Sequence, residues 1–481
     1  MSDPALVKLF TDALSLQARG DVGAALLSYK RLQRQFPDFP DAWTNASVLL
    51  CGMGRLEEAL AAAERAAGLD GGNQAAVYAL ACARMGLGRF AEADADLRRV
   101  LEIAPDHVPA LTNLAAIRAN GGDFEDAIRL HDRAVSLNPS SSAIVGRRGH
   151  AKVQALDMEG AEADLKRALE LDAGNEDACL ALVHVWLRTY RYSDAWRHFK
   201  ARQHLTELSV NAGGFGKPFW KGGAIGGATL LVYSERGFGD TIQFSRFLPQ
   251  AGQMSGARVL LAVHRPLARL MDGVPGADAV VLQDAPLPAF DYVAPITELP
   301  VILEIDPSSL PPPARVNVGP GPAPELGRPG FKIGLVWAGS PEHAADAERS
   351  VAPRLLDELA DVQGAEDIAW YGLQVPPSAE PPGLPGFLDM SPRIGDFMDT
   401  AQIVGQMDLV VTVDTSMAHL AGTLGVPAVV LLAHLPEWRW GLGDATPWYP
   451  SVKLIRQPAP RDWSGAVAAL KREIARRTSR Q

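Results

Sequence analysis

An alanine returns at Ala25, Ala59, Ala93, Ala127, Ala161 and Ala195, six positions separated by one interval of 34 residues. So regular a repeat restricts the first part of the chain to a stack of like units, because the same position meets the same surroundings in each copy. The aligned segments are "GDVGAALLSYKRLQRQFPD", "GRLEEALAAAERAAGLDGG", "GRFAEADADLRRVLEIAPD", "GDFEDAIRLHDRAVSLNPS", "DMEGAEADLKRALELDAG" and "RYSDAWRHFKA". A turn position precedes each alanine, occupied by Gly20, Gly54, Gly88 and Gly122, then by Leu156 and Tyr190. A break closes the units at Pro37, Gly71, Pro105, Pro139 and Ala173. The pattern predicts a helix, a tight turn, a second helix and a break. Alanine fits where paired helices cross closely, glycine where the turn strains the backbone, and proline where the next unit begins.

The period and these positions resemble the tetratricopeptide repeat, over residues 1 to about 205. The resemblance implies an α superhelix, a solenoid whose concave face takes a peptide or protein segment. A purely structural spacer or a dimerisation surface is the alternative. Asn45 and Asn113 stand where neighbouring repeats have Ala79 and Arg147, so the regular asparagine ladder of the O-linked N-acetylglucosamine transferases is not expected.

Lys and Arg total 46 against 56 Asp and Glu, a formal charge of −10, which argues against a broad nucleic-acid surface. The opening "MSDPALVKLFTDALSLQARG" sets Asp3, Lys8 and Asp12 among its apolar residues, unlike the unbroken core of a signal peptide. No later run approaches the roughly 18 to 20 apolar residues of a membrane span. Cys51, Cys82 and Cys179 are too few and too far apart for a disulfide framework or a zinc knuckle. The expectation is a soluble, reduced, cytoplasmic protein with no metal and no resident cofactor.

The segment over residues 206–225 has no period and is rich in glycine, and it reads as a linker. Beyond it, short apolar runs alternate with helix-like runs, which predicts parallel, doubly wound α/β structure. The first half, residues 226–325, offers strands at "TLLVYSE", "RVLLAV", "AVVLQ" and "DYVAPI", with helices at "DTIQFSRFLPQAGQM" and "PLARLMDG". Eight prolines fall within residues 306–330 and mark a hinge. The second half, residues 330–460, offers strands at "KIGLVWAG", "IAWYGLQ", "LVVTV", "PAVVLLA" and "VKLIR", with helices at "DFMDTAQIVGQM" and "SMAHLAGTLG". Residues 461–481 read as a closing helix with a basic, solvated end. Two such halves imply a cleft, with ligands at the carboxyl ends of strands.

Two patches carry chemistry. In "GFGDTI" a dinucleotide fingerprint would need a third glycine where Ile242 stands, so a nicotinamide site is excluded. What remains is a turn at the top of a strand with Asp240 at a helix start, either as an N-cap or as a general base facing the cleft. In "DLVVTVDTSMAHLAGTLGVPAVVLL" a buried strand ends at Asp414, and Thr415 and Ser416 open a helix whose dipole and free N–H groups favour a phosphate. Ordinary capping by Asp414, Thr415 and Ser416, and a satisfied interior His419, are the structural alternatives.

In their order along the chain, "GFGDTIQFSRFLP", "IGLVWAGSPEHAADAERS", "FMDTA", "VDTSMAHLAGTLGVP", "PEWRW", "WYP" and "RQP" resemble the bacterial tetratricopeptide-repeat glycosyltransferases of GT-B architecture, related to the heptosyltransferases. The resemblance covers most of residues 215–465. It implies two Rossmann-like domains, a base at Asp240, and a donor-phosphate loop carried by Asp414, Thr415, Ser416, Met417, Ala418 and His419. Gly237, Gly239, Gly339, Ser340 and Gln374 complete the donor-side set. The family's "WAGNP" loop appears as "WAGSP", with Ser340 where asparagine is usual. His343 and Arg349 follow as groups that would stabilise a departing phosphate without a metal. Arg349 has an alternative, a surface pair with Glu348 or Asp346. The heptosyltransferases place a lysine in this loop, and none occurs between Lys332 and Lys453, which weakens an ADP-heptose donor.

The resemblance implies an inverting transfer from a nucleotide sugar, CMP-, UDP- or ADP-linked, to Ser or Thr of a protein that the repeats recruit. Flagellin glycosyltransferases that use nonulosonic acids such as pseudaminic or legionaminic acid are similar in layout, so flagellin is the expected acceptor. The rivals are transfer to an envelope lipid or glycan, and a repeat-based chaperone or adaptor with a decayed nucleotide domain.

Overall fold

The computed structural model describes residues 3–203, 214–235, 237–319, 325–342, 346–362, 365–376 and 380–479. Its contacts divide the chain into two compact units, Met1–Leu182 and Val183–Gln481.

Helical pairs build the first unit: α1 (Pro4–Ala18) with α2 (Val22–Gln35), α3 (Pro40–Gly52) with α4 (Leu56–Leu69), α5 (Gln74–Gly86) with α6 (Phe90–Ile103), α7 (Val108–Asn120) with α8 (Phe124–Leu137), and α9 (Ser142–Gln154) with α10 (Met158–Leu171). A sixth pair follows, α11 (Glu176–Arg188) and α12 (Tyr192–Gln203), and the boundary between units falls within α11. All six phased alanines are fully buried, as close helix crossings require. Asp21, Asp123 and Asp157 cap α2, α8 and α10 by accepting from backbone N–H groups of the first turn. The turn within each pair is left-handed throughout, at Gly20, Gly54, Gly88 and Gly122 and equally at Leu156 (φ 62°) and Tyr190 (φ 59°). The repeat geometry therefore overrides the local preference of two side-chain-bearing residues.

A second ladder shares the period of the alanines. Arg84, Arg118 and Lys152 lie 34 residues apart. Arg84 pairs with Asp96 at 2.7 Å, Arg118 with Asp94 and with Asp126 at 3.4 Å, and Lys152 with Asp164 at 2.8 Å. These cations are matched by carboxylates of the repeats themselves.

The second unit holds two parallel sheets. The first contains β1 (Thr229–Tyr233), β2 (Arg258–Val263), β3 (Ala279–Leu282) and β4 (Tyr292–Pro295), in the order β3-β2-β1-β4. The second contains β5 (Phe331–Val336), β6 (Ile368–Gly372), β7 (Leu388–Asp389), β8 (Leu409–Val413), β9 (Ala428–Leu432) and β10 (Val452–Arg456), in the order β10-β9-β8-β5-β6-β7. Every strand pair is parallel. In each sheet the direction of winding reverses once, between β1 and β4 and between β5 and β8, and such reversals open a crevice at the strands' carboxyl ends.

Between the strands of the first sheet run α13 (Phe238–Phe244), α14 (Leu248–Ser255) and α15 (Ala268–Met271), and α16 (Leu299–Ile302) follows β4. The second half carries α17 (Asp346–Arg349), α18 (Pro353–Leu356), α19 (Phe397–Val404), α20 (Ser416–Leu424) and α21 (Trp463–Thr478). Ile333, Leu335, Trp370, Val411 and Leu431 of the second sheet pack with Trp463, Val467, Leu470 and Ile474 of α21. The basic end of α21 is not simply solvated: Glu473, 4% exposed, holds Lys453, Arg476 and Arg477.

Three features differ from the sequence expectation. The single helix expected over "DTIQFSRFLPQAGQM" is two helices parted by a 3₁₀ turn at Ser245–Phe247, since Pro249 has no N–H to continue the ladder. The two-residue β7 is too short to leave a pattern. The described part of the glycine-rich linker packs on the first sheet beside β4, where Trp220 is 1% exposed, its N–H donates to Val293 O at 2.8 Å, and Val293 N donates to Pro218 O at 3.0 Å.

The last repeat helix also packs with the α/β core of its own unit. Tyr192 Oη accepts from Trp448 Nε1 at 3.0 Å, and Trp196 Nε1 donates to Ile305 O at 2.7 Å. Both rings meet Trp438 edge-on. Arg188 Nε donates to Pro436 O at 3.0 Å, so α11 and α12 together fix the loop that carries "PEWRW".

Candidate functional site

Consider first the reversal between β5 and β8. After β5 the chain turns through Trp337, Ala338, Gly339 and Ser340. Gln374, just past β6, accepts from the backbone N–H groups of Trp337 and Ala338 at 3.3 and 3.0 Å, and Ser350 Oγ accepts from Gly339 N at 3.0 Å. Gln374 thus shapes the loop through its side-chain carbonyl. A Cβ at Gly339 would lie 2.5 Å from Arg349 Nη2, so only glycine lets the guanidinium lie against the backbone there. Arg349 Nε reaches Asp346 at 3.3 Å, and its Nη1 donates to the carbonyl of Asp414 at 3.3 Å. Arg349 therefore makes the expected pair with Asp346, and it also ties the "WAGSP" loop to the "VDTS" loop. His343 lies outside the described residues.

After β8, Asp414 leads into α20. Thr415 is the N-cap, its hydroxyl accepting from Met417 N at 3.3 Å and meeting Thr412 Oγ1 at 3.1 Å. Ser416 opens the helix, and Met417 and Ala418 are buried behind it. Burial pushes the Asp414 carboxyl up to about 6, and Glu437 adds to the rise against the pull of Arg439 and Arg349. His419 is 6% exposed, stacks on Trp440 and shares a hydrogen bond of 3.2 Å with Tyr449 Oη. Burial, with Arg439 and Arg246 nearby, holds its pKa far below the usual histidine range. It is therefore a neutral, interior group and offers no charge to a phosphate.

The "GFGD" turn meets this loop directly. A Cβ at Gly239 would come within 2.7 Å of the His419 ring and 3.2 Å of Ser416 Cα, so glycine allows α13 and α20 to touch. Asp240 is not the N-cap: Gly237 holds that place and Asp240 lies within the first turn of α13. Its Oδ1 accepts from Arg439 Nη2 at 2.5 Å, and Arg439 Nη1 donates to Glu437 Oε1 at 2.6 Å. The guanidinium lies over the rings of Trp438 and Phe244. Burial opposes its charge, but Glu437 and Asp240 outweigh burial and raise its pKa.

At the reversal between β1 and β4 a group of carboxylates gathers. Glu235 follows β1, and Thr297 Oγ1 donates to its Oε2. Withdrawal of the carboxyl from water, with Glu298 and Asp240 nearby, raises Glu235 to about 7 although the residue as a whole remains exposed. Deeper in, Arg246 is 3% exposed and donates to the carbonyls of Gln243, Pro311 and Trp448, with Tyr449 and Trp448 against its face.

Of the sequence-derived candidates, the structure brings Asp240, Gly239, Ser416 and His419 together on one side, and Gly339, Arg349, Gln374 and Asp414 on the other. Ser340 accepts from Glu342 N at 3.4 Å on the same loop. Glu235, Glu437 and Arg439 were not singled out by pattern. Arg439 lies within "PEWRW", and Glu235 within the stretch ahead of Gly237. A lone acid after a buried strand was the available signal for Glu235.

The fold and site define a tetratricopeptide-repeat chain followed by a parallel α/β region. The tetratricopeptide repeat family matches residues 10–74 and 78–142. Over 444 residues the chain is 26% identical to Protein FlbA of Caulobacter vibrioides, covering 82% of this chain and 72% of that protein. That span is too long to be confined to the repeats. Shorter likenesses join it to Protein CTR9 homolog of Arabidopsis thaliana, 34% over 84 residues, and to Protein O-mannosyl-transferase TMTC3 of Homo sapiens, 39% over 90 residues. They cover 17% and 18% of this chain, and only 8% and 10% of those proteins. Among solved structures, a tetratricopeptide repeat protein from Parabacteroides merdae aligns over 44% of this chain and 83% of its own, with 16% identity and a TM-score of 0.38. MamA from Desulfovibrio magneticus aligns over 37% and 99%, with 18% identity and a TM-score of 0.33. Among the described residues no helix is long and apolar enough to cross a membrane.

Proposed function

We propose that this protein is an inverting, metal-independent glycosyltransferase of GT-B architecture that moves a sugar from a nucleotide donor to Ser or Thr of a protein held by the repeats. The observation that carries it is the meeting of two sheet reversals in one compact unit: the β5/β8 loops, joined by Arg349, on the donor side, and the acids after β1 and β4 on the acceptor side. The donor phosphate would lie at the N-terminus of α20 and beside Arg349, where the helix dipole and a cation favour the leaving anion. The acceptor hydroxyl would enter above β1 and lose its proton to a carboxylate there. The repeats fit the recruitment of a protein because that is what such folds commonly do. A transferase is also what the name of the human relative states for that protein, although the two share only a short segment. Flagellin is the proposed acceptor and a CMP-linked nonulosonic acid the proposed donor.

The test is the intact mass of flagellin from cells that make this protein, cells that lack it, and cells carrying Asp240→Ala. A loss of mass in both altered strains is the expected result, and its size gives the sugar class. Flagellin of unchanged mass in both would rule out this acceptor. Mass lost in the deletion but restored in full by Asp240→Ala would favour an adaptor.

A further inference from the structure

Asp240 has its Oδ1 engaged by Arg439 at 2.5 Å, and Glu437 braces that guanidinium from the other side. Within the same cluster, no guanidinium among the described residues holds Glu235. It stands directly beyond the carboxyl end of β1, beside the reversal to β4 where the crevice opens. Its backbone is fixed on both sides: Ser234 N donates to Ala262 O at 2.9 Å, Gln283 Nε2 donates to Ser234 O at 2.5 Å, and His264 Nε2 donates to Glu235 O at 2.6 Å. Thr297, from the loop after β4, donates to Oε2, and among the described residues no hydrogen bond engages Oε1.

We propose that Glu235 accepts the proton of the attacking hydroxyl, and that Asp240 is a positioning residue that holds Arg439. This deepens the glycosyl-transfer function proposed above and rests on it. In the step, the acceptor oxygen bonds to the anomeric carbon as the bond from that carbon to the donor phosphate breaks. The hydroxyl proton passes to Glu235, and the phosphate leaves with the electron pair.

The groups facing Glu235 are consistent with a base that works near neutrality. Tyr233 on β1, Glu298 after β4 and Asp240 on α13 all act on its carboxyl or are acted on by it, and the two acids raise its pKa by like-charge repulsion added to desolvation. His264 touches its carbonyl. Arg236, next in the chain, lies outside the described residues. A base whose pKa is near the working pH combines a populated ionised form with real proton affinity.

The experiment uses the purified full-length protein with monomeric flagellin and CMP-pseudaminic acid, and follows transfer by intact mass across pH 5.5 to 9. Wild type should lose kcat/KM below an inflection near pH 7. Glu235→Gln should lower kcat about 100- to 10,000-fold with KM little changed, and its residual rate should lack that inflection. Asp240→Asn should be slower than wild type yet keep the inflection. Wild-type-like turnover by Glu235→Gln, or the same inflection in its profile, would overturn the assignment and leave glycosyl transfer intact. No transfer by wild type would instead overturn transfer from this donor to this acceptor, and the assignment with it. Glu235→Asp separates chemistry from folding: it should recover part of the rate that Glu235→Gln loses, and failure to do so in a protein of wild-type melting temperature counts against Glu235.

Discussion

Arg84, Arg118 and Lys152 in the repeats and Arg246 and Arg439 in the second unit are all withdrawn from water, yet they meet different surroundings. In the repeats each cation reaches a carboxylate of a repeat, Arg84 and Lys152 at the equivalent position of their second helices and Arg118 at Asp94 and Asp126. In the second unit, Arg246 rests on carbonyls and aromatic faces, while Arg439 is shared by two carboxylates and lies near a third, Asp414. Burial raises the pKa of Asp96 in the repeats against the pull of Arg84, whereas burial raises Asp414 and Glu235 with close acids of the site adding to it. Local balance serves stability, and unresolved charge gathered at the ends of strands is the mark of a site.

That contrast breaks most visibly at Arg439. Arg439→Met leaves Asp240 and Glu437 facing each other without the cation between them, and should cost about 3 to 5 kcal/mol of stability near pH 7. The measurement is urea denaturation at pH 7 and at pH 5. Less of the loss should remain at pH 5, because Asp414, which burial pushes up to about 6 against the pull of Arg439, is then protonated and no longer needs the cation. A variant as stable as wild type at both values would mean that the guanidinium is a passive filler. In the repeats a charge matters less than a shape. Ala93→Leu places three extra carbons at a fully buried helix crossing and should cost about 1 to 3 kcal/mol, with little dependence on pH. Equal pH sensitivity in the two variants would erase the distinction between the units.

The same contrast explains what sequence could and could not reveal. The repeats were legible to the residue, since a period of 34 forces each alanine into one environment, and the matched family segments agree with it. The strands of both sheets other than β7 were legible, because a strand buried within a parallel sheet leaves an unbroken apolar run. The site was only half legible. Asp240, Arg349 and the β8 loop stand out by motif, but the pairing of Asp240 with Arg439 joins positions 199 residues apart, and no local pattern encodes it. Gly239 was singled out for a ligand, and the structure puts its missing side chain to use in contact with His419. Trp220 was hidden by the glycines around it.

The turn at the head of each second helix gives the finest test, because one backbone conformation occurs in both units with different support. Leu156 takes a left-handed φ of 62° with a side chain that is only half buried, so little offsets the crowding of its Cβ. Leu156→Gly should therefore raise stability by about 0.5 kcal/mol, or at least cost nothing. Tyr190 takes φ 59° under other terms: its ring packs so closely on Gly441 that a Cβ there would lie 2.2 Å from Tyr190 Oη, and it meets Tyr192 edge-on. Removing that ring in Tyr190→Gly should lower stability by about 1 to 2 kcal/mol despite the easier backbone. Opposite signs in thermal unfolding of the two variants would show that the repeat dictates the turn in the first unit while packing against the "PEWRW" region sustains it in the second. Two gains would mean that Tyr190 contributes no more than a spacer, and the aromatic cluster of α12 would then have to hold its place through Tyr192 and Trp196 alone.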